Sequence, residues 1–128
     1  MSDKSTPRPY EQWSTNAAGR KEDAAYTFGY YLMKHCRAEA LKCVQSAPML
    51  MTRKQFHKQV ESAVDTALHN VLDLIEGYWP AEAGPKHTAE FALLVRVRDA
   101  SRQEVEHIDI SSIDMPIGYW KWKEGEFR

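Results

Sequence analysis

The chain has 128 residues, 43% apolar and 27% charged, an ordinary globular composition that excludes a disordered or fibrous chain. A formal net charge of −1 argues against non-specific attraction to nucleic acid, and no run approaches the roughly 20 apolar residues of a membrane helix. The opening residues lack the apolar stretch of a secretory signal, so the expected compartment is the cytoplasm.

Residues 1–15 read as a flexible arm ahead of a single domain over 16–128. Pro7 and Pro9 disfavour a helix there, while Tyr10 and Trp13 give the arm a means of docking on its own domain or on a second subunit. Helix one is expected from about 17 to 46, capped by Asn16 and closed by Pro48. Ala25, Phe28, Gly29, Leu32, Met33, Cys36, Ala40 and Cys43 form one stripe rich in small residues, which suits close approach by another helix. Cys36 and Cys43 lie seven positions apart on this helix. That spacing is about 10 Å of helix rise, too far for a disulfide, so both are expected as free thiols.

Helix two opens with Thr52 and Gln55 in a capping-box pattern and ends at Gly77 and Pro80. Its apolar face is wide: Phe56, Val60, Ala63, Val64, Ala67, Leu68, Val71, Leu74, Ile75 and Tyr78. The short connection predicts an antiparallel helical hairpin.

β structure follows. In TAEFALLVRVRD, Phe91, Leu93, Val95 and Val97 alternate with Arg96 and Arg98. A turn at 99–102 leads into EVEHIDI. Pairing Leu93 with Ile108 leaves Glu104 and Glu106 on the apolar face, a conflict that predicts a bulge or a frayed end. YWKWKEGEF alternates again and reads as a third strand, with Trp120 buried. The expected fold is α+β: an antiparallel helical hairpin packed on a small antiparallel sheet of two or three strands.

GYW occurs twice, at Gly77–Trp79 and Gly118–Trp120. The first ends a helix and the second opens an alternating stretch, so the match reads as coincidence. On helix two, Glu61, Asp65, His69, Asp73 and Glu76 line one polar side. Asp65, His69 and Asp73 are the weak candidates for a metal or catalytic site, since a histidine between carboxylates can ligate or act as a base. A catalytic metal ordinarily takes three protein ligands, and one helix face offers fewer. Neither HExxH, a P-loop, a Rossmann glycine pattern nor CxxC is present, and no cofactor is expected. Ser111, Ser112 and Asp114 lack a nucleophile elbow or a histidine signature.

The candidate partner-binding residues are Arg96 and Arg98 on the hairpin, and Tyr119, Lys121, Trp122 and Lys123 in the basic-aromatic tail. The expectation is a small cytoplasmic, non-enzymatic module acting through protein contacts, as an inhibitor, immunity or phage-type accessory protein does, with a homodimer as one form of contact. The alternatives are an enzyme or metal-binding domain centred on His69, and a nucleic-acid module using the tail, which the neutral charge disfavours.

Overall fold

The computed structural model describes residues 6–111 and 114–127. Its elements are a 3-10 turn (Tyr10–Gln12), α1 (Ala17–Tyr31), a π-helical segment (Leu32–Arg37), α2 (Ala38–Gln45), α3 (Arg53–Ile75), β1 (Ala81–Glu82), β2 (Thr88–Ala89), β3 (Leu94–Arg98), β4 (Glu104–Asp109) and α4 (Met115–Lys123). The class is α+β, with two separate two-stranded antiparallel sheets.

The helix ends follow local chemistry. Asn16 Oδ1 accepts from the Gly19 amide at 2.7 Å to start α1. Both halves of the capping box at α3 are made: Gln55 N to Thr52 Oγ1 at 3.1 Å, and Thr52 N to Gln55 Oε1 at 2.9 Å. Gly77 follows α3 at φ +79°, a conformation that favours glycine after a helix end.

The π segment joins α1 and α2 into one helical run. Asn70 of α3 donates to the His35 carbonyl inside it at 2.9 Å, and Cys43 Sγ lies 3.5 Å from Thr66 Oγ1. Position 35 lies opposite 70 and position 43 opposite 66, so the two helical arms run antiparallel. The His35 ring stacks on Trp79 at 4.5 Å, and burial holds its pKa below the ordinary histidine value. Both cysteines are free, and burial pushes the Cys36 thiol up to about 11.

The core is small. Tyr31, Cys36, Leu74 and Ala81 are buried together, flanked by Phe28, Val71, Trp79 and Phe91. The β1–β2 sheet closes this core, with Ala81 opposite Ala89. The arm docks on the same sheet. Tyr10 N donates to Ala83 O at 2.8 Å, the Tyr10 ring meets His87 at 4.6 Å, and the Arg20 guanidinium lies over Tyr10 and Trp13.

Four expectations need correction. Residues 115–123 form a helix, not a third strand. Pro116 lies in its first turn, where a fixed φ favours a helix start. Trp120 is 49% exposed rather than buried, and Tyr78 is 72% exposed because Gly77 turns the chain out of α3 before it. In the β3–β4 hairpin, Val95 pairs with Ile108, and the Ile110 amide bonds Leu93 O. That register lies two positions from the expected one. The loop holds one more residue than expected, and of the two expected outcomes, a bulge or a frayed end, the bulge is present, beside Val97–Arg98. The bulge places Glu104 opposite Arg98 and so off the apolar face, while Glu106 stays opposite Val97.

Candidate functional site

Three surfaces gather the residues singled out above. The first is a clasp between α3 and α4. Asp65 accepts from Tyr119 Oη and from Lys123 Nζ, each at 2.6 Å, and Lys123 reaches Glu61 at 3.1 Å. Tyr119 and Lys123 are one helical turn apart on α4, which aims both at one carboxylate. His69 takes Asp73 at 3.2 Å and lies 5.3 Å from the Trp120 ring. The acidic line and the basic-aromatic tail therefore face each other. Asp65 and Asp73 turn to different partners, and among the described residues no three His, Cys, Asp or Glu side chains come together to hold an ion. Burial raises the Asp73 carboxyl, opposed by His69.

The clasp has a defined pH window. Lys123, then Tyr119, holds the Asp65 carboxyl below its ordinary range, while Asp65 and Glu61 hold the Lys123 ammonium above its own. A depressed carboxyl contributes stability above its unfolded value, about 3.9, and loses it as pH falls through the lower folded value. A raised lysine contributes below about 10.4 and loses it as pH rises through the higher folded value. The clasp should hold from about pH 5 to 10 and open in acid below about pH 4. Asp65→Asn should open it at neutral pH, read as several-fold faster amide exchange in α4 with α1 and α3 unchanged. Equal α4 exchange in the variant and the natural protein would count against the clasp.

The second surface is the β3–β4 hairpin. All eleven of its strand residues are exposed. Val95, Val97 and Ile108 lie on one side, and Leu94, Arg96 and Arg98 on the other. The loop is internally braced, with Asp99 Oδ1 accepting from the Ser101 and Gln103 amides. Ser111 anchors the base by accepting from the Leu93 amide at 2.7 Å, a structural task; Ser112 lies outside the described residues.

The third surface is one face of the helical hairpin, where Leu41 of α2 lies near Leu68 of α3 and Val44 near Val60, all exposed, as is Val64 between them on α3. The accessible surface of the chain is 10087 Å². A compact folded chain of 14.8 kDa exposes about 7,000 Å². The hairpin and this face carry several of the exposed apolar side chains; Met49, Leu50, Tyr78, Ile117 and Phe127 are exposed elsewhere.

Compared with protein families, curated proteins and solved structures, the chain has no match.

The six predicted partner residues thus divide. Arg96 and Arg98 stand on the hairpin, Tyr119 and Lys123 are engaged in the clasp, and Lys121 is exposed on α4. The Trp122 ring lies over Gly118, where an added Cβ would come within 2.8 Å of it. The two GYW glycines thus serve unrelated ends, a helix exit at Gly77 and a close ring contact at Gly118. The residues missed were Val60, Val64 and Leu68 as an uncovered face. Their signal was the width of the helix-two apolar set, more than one neighbouring helix covers.

Proposed function

We propose that this protein is a non-catalytic protein-binding module that grips its partner with the β3–β4 hairpin. The observation that carries the reading is that every strand residue of the ribbon is exposed, on both faces, although Val95, Val97 and Ile108 make one side largely apolar. An isolated two-stranded hairpin is marginally stable in water, and an apolar one with open edges invites a further strand or a hydrophobic surface. Arg96 and Arg98 on the other side favour a partner with acidic side chains beside its apolar contact. Inhibitors, immunity proteins and phage accessory proteins work in this way, by contact without chemistry.

The test is a quantitative pull-down from the native cell using the natural protein and an Arg96→Glu/Arg98→Glu variant as baits. Both positions are exposed, but Arg98→Glu would stand opposite Glu104, so a single Arg96→Glu bait, opposite His107, separates lost contact from a weakened hairpin. A partner held by the natural protein should fall at least about tenfold with the variant, because like charges then face each other. Its capture should also weaken with salt. Identical partner sets for the natural and variant baits would defeat the reading.

A further inference from the structure

We infer that the loop joining α2 to α3 is a membrane-docking tip, whose apolar side chains enter the surface of a bilayer while the cations behind them hold anionic phospholipid headgroups. Residues 46–52 make this connection. Met49 and Leu50 stand at its point, 101% and 93% exposed, so the fold covers almost nothing of either. Pro48 is exposed beside them. Behind them Val44, Met51 and Phe56 border one shallow apolar hollow. Apolar side chains gathered this way at a protruding loop mark a contact site.

The occupant is argued from charge and from its order with depth. The whole chain carries 17 basic and 18 acidic residues, yet residues 40–60 hold Lys42, Arg53, Lys54 and Lys58 and no aspartate or glutamate. Lys42 is taken by Glu39 at 2.9 Å, whereas Arg53, Lys54 and Lys58 have no carboxylate partner among the described residues. All three stand in the first two turns of α3, within about 8 Å of helix rise from its start. At about 100° per residue they spread over about 140° of the helix circumference, around the end of the hairpin rather than along one face. The first carboxylates met along the two helices are Glu39 and Glu61. They lie about 9 Å and 12 Å of rise from the helix ends, and each is held by a lysine of the same chain. From the tip inward the order is therefore apolar, then cationic, then neutralised.

A bilayer surface has the matching order, acyl boundary and then anionic headgroups, over the same 5–10 Å or so. Two protruding side chains fall far short of the roughly 800 Å² that a standard protein interface buries on each partner. A nucleic acid would use the cations and leave Met49 and Leu50 bare. The amides of Met49, Leu50 and Met51 bond no other group among the described residues, so the tip keeps to the hydrated headgroup level. This is docking and not a span; among the described residues no helix is long and apolar enough to cross a membrane. The β3–β4 hairpin takes no part, so the inference stands apart from the proposed function.

Co-sedimentation of the purified full chain with vesicles reads the outcome, using phosphatidylcholine alone and phosphatidylcholine with about 30% phosphatidylglycerol, at about 0.1 M salt. The natural protein should bind the anionic vesicles at least about tenfold more tightly than the neutral ones, and lose that preference by about 0.5 M salt. Met49→Ser/Leu50→Ser should bind the anionic vesicles at least about tenfold more weakly. Its helical dichroism should be unchanged, since neither side chain supports the fold. Arg53→Gln/Lys54→Gln should lose about twentyfold on anionic vesicles and stay level on neutral ones. A natural protein that stays in the supernatant with anionic vesicles overturns the inference. So does equal binding by either tip variant, or binding that needs Arg53 and Lys54 but not Met49 and Leu50, the mark of a polyanion site.

Discussion

Leu74→Ala is expected to lower the unfolding free energy by about 2–5 kcal/mol, the largest loss of any single leucine, isoleucine or valine truncation among the described residues. Leu74 is 1% exposed and sits where Tyr31, Cys36 and Ala81 converge. Removing its branched end forfeits the transfer energy of the lost carbons and leaves a cavity lined by a ring, a thiol and a short strand. None of these can move inward freely, since the Tyr31 ring is tied to β1 through its hydroxyl and Asn70 fixes the π segment that carries Cys36. A domain holds about 5–15 kcal/mol in total. The number of fully buried side chains here is small, so the loss is a large share. Urea denaturation at one fixed protein concentration measures it, because association would otherwise shift the midpoint. Leu50→Ala, at a position 93% exposed, is the control and should leave the midpoint in place. A Leu74 variant within about 0.5 kcal/mol of the natural protein, the ordinary range of a surface substitution, would show that the convergence point is not the core.

The helices were legible because their signals are local. Asn16 and the Thr52–Gln55 box satisfy amides within three residues, and Gly77 supplies a positive φ one residue past the C-cap; no distant partner is needed for any of them. The bulge was legible for a similar reason, since two glutamates on an apolar strand face are a conflict visible in the alternation itself. The π segment was not. Its widening is accompanied by a bond from Asn70, thirty-five positions away, and nothing in LMKHCR announces that partner.

The C-terminal helix failed for a more instructive reason. Tyr119, Lys121 and Lys123 share a face if the chain is extended, and Tyr119 and Lys123 also share one if it is helical, so a five-residue alternation does not separate the two periods. The tryptophans separate them: one side in a strand, opposed sides in a helix. The structure places Trp120 against His69 and Trp122 back over Gly118. Pro116 favoured the helix from the outset. The same misreading hid the site chemistry. Read separately, the acidic line on α3 and the basic tail each looked free to bind something foreign; folded, Lys123 and Tyr119 already occupy Asp65. The hairpin and the helical face leave apolar side chains exposed, and a sequence shows that such residues are apolar but not that the fold leaves them bare.

Tyr31→Phe should destabilise the fold by about 1–3 kcal/mol without a change of volume in the core. The Tyr31 side chain leaves the last turn of α1, and its hydroxyl bridges both backbone groups of Glu82, accepting from the amide at 2.8 Å and donating to the carbonyl at 3.1 Å. Fifty-one positions of chain are closed by that one oxygen. Burial raises the pKa of the phenol, so it stays neutral and able to donate across ordinary pH. Phenylalanine keeps the ring packed beside Tyr30 and His35 but strands the backbone donor and acceptor of Glu82, the last residue of β1. The β1–β2 sheet has only two paired positions to hold it, Ala81 with Ala89 and Glu82 with Thr88, so it should loosen before the helices do. Amide exchange therefore separates this role from simple packing. In Tyr31→Phe the Glu82 and Ala83 amides should exchange faster than those of α3, and the arm residues bonded to Ala83 should follow, since Tyr10 N bonds its carbonyl. In Leu74→Ala the acceleration should instead spread through α3 and the π segment. If Tyr31→Phe leaves the β1 amides protected at their natural level, the hydroxyl bridge is dispensable and β1 is held by Ala81 burial alone.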